Sequence, residues 1–452
     1  MTLAINRTGR ATMSRPRSVQ TVFGNIRWWI GLIALVGFIV QDAFGSALLY
    51  LSLFLVGGLI FTNIANVKRG FLVAGVTPWL IPGFAVLSVL WSAEPLTSLH
   101  LSLELVLTVG IALVIAIENG PNECLLATLI AATAACLLSM VVHHPYLDHM
   151  TNTVSNAGIF HQKNVLGATG VLCMLAGLAI ATHAAARRSL RIFGWFGFGL
   201  GMATVVSARD VSGAAAGAVA LSYFAMMWIS TRLPSRQRVA YLQVSSLVFL
   251  VCCLVAGIVI WNFGADLLRM VGKNPTLTGR TELWGYAREA SAEHPLLGVG
   301  YQAFWVRGHP MAEFLWKKFQ QPARDHFHFH NVFYFILTEF GEVGVGLLCL
   351  YVVRVVFAAA RWLRTSNSSV PIFHAAFIIY NFIYSQTEIG MFIYFSANYA
   401  VLTMGNYHAR AAIRSVAPGG VRPARSQEGV LPVTHTRRSG GIWHRPAAVM
   451  SD

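Results

Sequence analysis

Four polar residues in this 452-residue chain have the types and settings that chemistry needs: Lys163, Arg209, Arg280 and His330. Arg280 lies in Thr278-Gly-Arg-Thr-Glu-Leu-Trp284, which reads as the start of a short helix capped by Thr278 and ended by Pro295. A cation in a helix's first turn opposes the macrodipole, at a cost of only tenths of a kcal/mol. Either Arg280 points away into solvent, or an anion sits there, because free helix N–H groups beside an arginine make a phosphate site. Lys163, followed by Asn164 in Gly158-Ile-Phe-His-Gln-Lys-Asn-Val-Leu-Gly167, either binds phosphate as a point charge or snorkels. Arg209, in Ser207-Ala-Arg-Asp-Val-Ser-Gly213, either serves function at a membrane edge or pairs locally with Asp210.

His330 ends the run Asp325-His-Phe-His-Phe-His330, followed by Asn331. Histidines at spacing two share one face of a strand, which raises the question of a metal. The run supplies too few ligands and no further acidic or cysteine partner, so no metal is expected. A histidine that orients a substrate hydroxyl or takes its proton is the more economical reading, with an interfacial polar anchor as the alternative.

The elements that must position these residues are membrane helices. Charged residues make up only 11% of the chain and AVILMFWYC residues 56%. Soluble domains carry about 25% charged residues, and a disordered chain would be far less apolar. The composition therefore specifies an all-α polytopic membrane protein, since lipid demands internally satisfied backbone. Twelve runs are long and apolar enough to be read as spans, centred on 26–44, 47–64, 71–91, 101–117, 124–142, 165–183, 190–206, 213–229, 239–261, 332–351, 370–384 and 389–406. The first follows a basic tail without a small-residue cleavage site and reads as a retained span.

Net charge +15 is a matter of orientation. Twenty-three of the 33 Lys+Arg fall in one alternating set of connections and ten in the other. Both tails are therefore expected in the cytoplasm. The division is a basic tail (1–25), nine spans (26–262), an outer catalytic loop (263–329), three spans (330–408) and a disordered basic tail near anionic lipid (409–452). The outer loop is too apolar for a free linker, with a Leu283, Ala287, Ala290 stripe in its helix and a turn at Gly298 and Gly300. Pro145, Tyr146, Trp305 and Trp316 either line a sugar path by stacking or, the preferred reading, are outer-interface residues. Five of the six cysteines fall inside spans and one at a cytoplasmic edge, without zinc or disulfide spacing. No P-loop, dinucleotide fingerprint or Asp-x-Asp pair is present, so no soluble nucleotide cofactor is expected. The outer cations suggest a bulky anionic ligand, and a lipid pyrophosphate fits.

These motifs resemble those of O-antigen ligases and Wzy-type polysaccharide polymerases. The resemblance rests on Gly279-Arg280-Thr-Glu-Leu-Trp284 with His294-Pro-Leu-Leu-Gly-Val-Gly300, on His330-Asn331 with Glu339-Phe-Gly341-Glu-Val-Gly344, on Trp91-Ser-Ala-Glu-Pro95, and on the Arg209 stretch. The family's stretch usually has Gly after that arginine. Asp210 stands there in this chain, so local packing is expected to differ. The stretch 158–167 looks most like the ExoQ-type exopolysaccharide branch. The resemblance implies a GT-C-like membrane glycosyltransferase without cofactor or metal, in the bacterial inner membrane with its site on the periplasmic side. Its donor would be an undecaprenyl-pyrophosphate-linked glycan and its acceptor a second glycan, with export or chain-length proteins as further partners and no nucleic acid. Arg209 and Arg280 would hold the pyrophosphate and His330 would orient or deprotonate the acceptor. Lys163, Asn164, Asn331 and Trp284 would line the substrate. A ligase acting on lipid A core or a protein, and a lipid-linked glycan flippase, are the alternatives.

Overall fold

A computed structural model of the chain describes residues 4–5, 11–12, 22–148, 153–270, 279–321 and 327–416. The expected tails, apart from the pairs 4–5 and 11–12 and residues 22–25 and 409–416, lie outside the described residues. So do Thr278, the expected cap, and Asp325.

The chain is an all-α polytopic membrane protein. Among the described residues, eight helices are long and apolar enough to cross a membrane, or nine if one bent pair counts as a single span. In chain order these and the shorter helices are α1 (Ile26–Phe44), α2 (Ala47–Thr62), α3 (Ile64–Ala74), α4 (Leu80–Ser88), α5 (Pro95–Glu118), α6 (Pro121–Val142), α7 (Lys163–Ala181), α8 (Arg188–Ala208), α9 (Val211–Ile229), α10 (Ser235–Met270), α11 (Arg280–Glu293), α12 (Pro310–Lys318), α13 (Val332–Thr365), α14 (Ser369–Tyr384) and α15 (Ala397–Val416). A hairpin of β1 (Pro145–Asp148) and β2 (Thr153–Asn156) precedes α7.

Four of the twelve expected spans are not among the eight: 47–64 is α2 of the bent pair, 370–384 is the shorter helix α14, and 71–91 and 389–406 are each broken. The run 71–91 is not one helix. It breaks at Gly75 (φ 61°), passes through a 3-10 turn at Thr77–Trp79, and resumes as α4. The segment holding Lys68 and Arg69 is helical and not a loop, because Val67, Gly70 and Val73 form a buried stripe that leaves both cations outside. That helix, α3, meets α2 at 105°. The run 389–406 begins as an irregular loop, and α15 starts only at Ala397 and continues to Val416. Residues 409–416, read as disordered tail, are therefore helical.

Two features set up the site. First, α7 and α8 are antiparallel and nearly touch along their backbones. A Cβ at Gly177 would lie 2.6 Å from the Phe198 nitrogen, and one at Gly201 would lie 2.5 Å from the Gly170 oxygen. Small residues permit such an approach between membrane helices. The start of α7, with Lys163 and Asn164, thereby lies beside the end of α8, with Arg209 and Asp210.

Second, the described part of the segment read as the outer loop folds on a small core of its own, in which Leu283, Ala287 and Ala290 pack with Phe304, Leu315, Trp316 and Phe329. The helix read from the sequence is there as α11, with the expected residues buried. Trp305 and Trp316 are corrected by this core. Trp316 is buried, and the Trp305 ring lies 4.9 Å from that of Phe329. They support the segment that carries His330 instead of anchoring at an interface.

Candidate active site

The helix α11 brings Arg280 to the loop between α14 and α15. Its guanidinium donates to the Thr387 carbonyl at 2.5 Å and to Glu388 Oε1 at 2.7 Å. Glu388 is the centre of the arrangement. His330 Nδ1 lies 3.3 Å from its Oε1 and 3.2 Å from its Oε2. Asn164 Nδ2 donates to Oε1 at 2.6 Å. His328 Nε2 stands 4.0 Å from Oε2. Burial alone would raise the Glu388 carboxyl, but the charge and hydrogen bond of His330, with Arg280 and His328, outweigh it and hold it down to about 2.

His330 is fixed by its backbone as well as its ring. Its φ of 50° is in the left-handed region, uncommon for a non-glycine residue, and its N–H donates to His328 Nδ1 at 3.1 Å. Asn331 caps α13 by accepting from the Phe333 and Tyr334 amides, and its Nδ2 donates to the Gln386 carbonyl at 3.0 Å. Trp284 donates to the Phe329 carbonyl at 2.9 Å and stacks on Tyr334. The contacts of Asn331 and Trp284 thus hold the His330 strap against α11 and the Glu388 loop. Tyr384 does the same for α7, donating from its hydroxyl to the Asn164 carbonyl at 3.1 Å.

Of the residues singled out by sequence, the structure brings Arg280, His330 and Asn164 onto one carboxylate. Lys163 is close enough that its charge acts on Asp210, together with those of Arg280 and Glu388. Arg209 stands apart from that carboxylate. Its side chain is exposed and donates to the Val154 carbonyl at 2.9 Å, and no ion pair joins it to Asp210 among the described residues. The acid that replaces the usual glycine instead caps α9, with Oδ1 accepting from the Gly213 amide at 3.0 Å. Burial pushes the Asp210 carboxyl up to about 6.

Sequence reasoning missed Glu388. The signal was there: a lone acid between the apolar stretches 370–384 and 389–406 is costly near a membrane and tends to be functional. Glu388 also supplies the partner that the histidine run lacked. The ligand-type atoms of His328, His330 and Glu388 lie within 4.8 Å of one another. That set has the donors a divalent ion accepts. The Arg280 guanidinium, however, already occupies Oε1 and would put a fixed positive charge beside the ion.

The motifs that carry the resemblance interlock behind this site. Leu296 and Leu297 run against Gly341, where α13 is kinked, while Gly298 lies against the Glu339–Phe340 peptide. Backbone bonds join Val299 to Thr338, Gly300 to Glu339 and Glu342 to Pro295. Trp91 Nε1 donates to the Leu297 carbonyl at 3.0 Å. Residues 196–349, which include both Arg209 and Arg280 and this clasp apart from Trp91, match the O-antigen ligase family model. Similarity to that family is thereby shown. The chain is also 34% identical over 288 residues to the exopolysaccharide production protein ExoQ of Rhizobium meliloti (strain 1021). That alignment covers 63% of this chain and 65% of the relative, and it supports the ExoQ-type branch.

Proposed function

We propose that the protein is a membrane glycosyltransferase of GT-C-like architecture that polymerises undecaprenyl-pyrophosphate-linked oligosaccharide units into exopolysaccharide. The reaction runs on the periplasmic face of the inner membrane, with both termini in the cytoplasm. The observation that carries this reading is the Glu388 carboxylate, which holds His330 and Arg280 side by side. With Nδ1 turned to Glu388, His330 has Nε2 available for an acceptor hydroxyl. That order, carboxylate to imidazole to hydroxyl, is the logic by which a histidine is oriented as a general base.

The acceptor oxygen attacks the anomeric carbon of the donor glycan as His330 takes its proton. The bond from that carbon to the phosphate oxygen breaks, and undecaprenyl pyrophosphate leaves with the electron pair. Negative charge grows on the leaving phosphate. Arg280 still has donors beyond those given to Thr387 and Glu388, and with Lys163 and Arg209 it stabilises that charge where it develops. Asn164 and Asn331 position this machinery through Glu388 and its loop. The reaction needs no metal, because the arginine occupies the place a Lewis acid would take. The segment read as 263–329, whose residues 263–270 continue helix α10, acts as the catalytic loop, and export or chain-length proteins take up the product.

Purified full-length protein in nanodiscs, given lipid-linked repeat units, tests this reading. A ladder of longer glycans is the expected product. Movement of the lipid-linked unit across the bilayer without a new glycosidic bond would mark a flippase and overturn it. The match to the O-antigen ligase model favours one second reading, transfer of the glycan to lipid A core or to a protein. Adding lipid A core as competing acceptor separates the two.

A further inference from the structure

The break between α3 and α4 is built around arginines. Thr77, fully buried in the turn, accepts on its one Oγ1 from Arg354 Nε at 2.9 Å and from Arg410 Nη1 at 3.4 Å. Arg410 Nε also donates to the Val73 carbonyl, one of the last of α3, at 3.1 Å. Gly75, whose φ of 61° favours glycine, lies beneath it, and a Cβ there would fall 2.7 Å from the mobile end of Arg410 at Nη2. Two guanidinium groups thus converge on a single neutral oxygen, and the charges of both Arg414 and Arg354 act on Arg410. No carboxylate pairs with any of the three among the described residues.

Such an arrangement is costly for its own sake, because like charges held together repel and half-buried ones repel more. Cations that serve only as a topology signal have no need to share an acceptor. The terminal nitrogens of Arg354 have no protein partner among the described residues. Planar donors left open beside a second guanidinium match the oxygens of a phosphate group. Arg354 follows the Gly341 kink by 13 residues, roughly 20 Å of helix, so this cluster is separate from the Glu388 site.

We propose that Arg354 and Arg410, with Arg414 at the rim, form a binding site for a phosphate-bearing anion in the notch between α3 and α4. The phosphate belongs either to an anionic phospholipid headgroup or to a soluble phosphate compound.

The test uses full-length protein in nanodiscs of phosphatidylcholine alone and of phosphatidylcholine with phosphatidylglycerol, with inorganic phosphate as the soluble probe. Bound ligand raises the apparent Tm. A rise with phosphatidylglycerol only assigns the lipid source. A rise with millimolar phosphate in neutral discs assigns the soluble one. In either case Arg354→Gln loses most of the rise without a lower Tm in neutral discs, since it removes repulsion. Arg361→Gln, a cation further along the same helix, keeps the rise and controls for bulk charge. Native mass spectrometry of the wild-type protein reads retained phospholipid without any variant. The proposal is overturned if neither probe moves Tm, or if Arg354→Gln gains as much as the wild type.

Discussion

His330 Nδ1 lies 3.2 Å from Glu388 Oε2, across 58 residues of chain that include the whole of α13 and α14. One helix long enough to cross a membrane, one shorter apolar helix and their loops therefore serve to put one carboxylate behind one imidazole. The same carboxylate takes Arg280, so the group that would receive the acceptor's proton and the group that would hold the leaving phosphate are set relative to each other by Glu388. Substrate contacts are separated from this positioning by one residue.

Replacing that residue should split catalysis from donor binding. Glu388→Gln removes the charge that orients His330 and releases Arg280. In a polymerisation assay with lipid-linked repeat units, kcat is expected to fall about 100-fold or more. KM for the donor should stay level or drop, because Arg280 gains free donors for phosphate. A variant with normal kcat would show that the carboxylate does not act through His330.

Arg280→Ala should nearly abolish polymer while membrane insertion stays normal. Losing one donor to a developing charge costs roughly 3–4 kcal/mol in other enzymes. Arg280→Lys should rescue only partly, since a point charge cannot bridge Thr387, Glu388 and a phosphate as a planar fork does. Polymer length and yield on gels, beside protein level in the membrane fraction, decide it. Unchanged polymer in Arg280→Ala removes the pyrophosphate role.

The residues that the sequence made legible were those whose setting is local. Composition alone specified membrane helices, and the 3.6-residue period revealed α11 with its Leu283, Ala287, Ala290 face. The cations of the connections read as outer, and His330, stood out because charge is scarce in those connections. Helix breaks were harder to see. Gly75 and Pro78 lie inside an apolar run, and only the packing of α3 along its Val67, Gly70, Val73 stripe shows that the chain turns there. Glu388 could be singled out as a lone acid between apolar stretches, but its role could not be read. Its meaning comes from His330 and Arg280, 58 and 108 residues away, and no local spacing encodes that meeting.

Chelation should leave the activity intact. His328, His330 and Glu388 could accept a divalent ion, but Arg280 at 2.7 Å from Glu388 already neutralises the carboxylate. Polymerisation in EDTA is expected at the untreated rate. Loss of activity with EDTA and its return with one added divalent metal would show that the cluster is a metal centre.

The clasp behind the site should tolerate no side chain. Gly298 has φ 66°, and a Cβ there would fall 2.4 Å from the Phe340 nitrogen. Gly298→Ala has to push the Leu296–Gly300 segment off the Gly341 kink, against backbone that cannot yield as a side chain would. A loss of more than about 2 kcal/mol is expected, from φ strain together with the clash. Low protein yield or a Tm several degrees down, with any surviving polymer of ordinary length, is the expected result. Wild-type stability in Gly298→Ala would mean that the close approach is not maintained.

Asp210 offers a test by pH. Burial is the largest influence on its carboxyl; the Gly213 amide, Arg280 and Lys163 act in the opposite sense, Glu388 adds to the rise, and the outcome is about 6 against an ordinary 3.8. An acid raised in the folded state binds its proton more tightly there than in the unfolded chain. Its stabilising contribution is therefore whole below pH 3.8 and is lost as pH rises through about 6. Asp210→Asn keeps a side-chain oxygen for the Gly213 amide and removes the charge. Relative to wild type it should gain on the order of 3 kcal/mol at pH 8, seen as a higher Tm, and little or nothing near pH 4. The gain should grow between those limits with a midpoint between 3.8 and about 6. Equal Tm differences at both pH values would show that the carboxyl is not buried in the way its neighbours Gly167 and Gly213 enclose it.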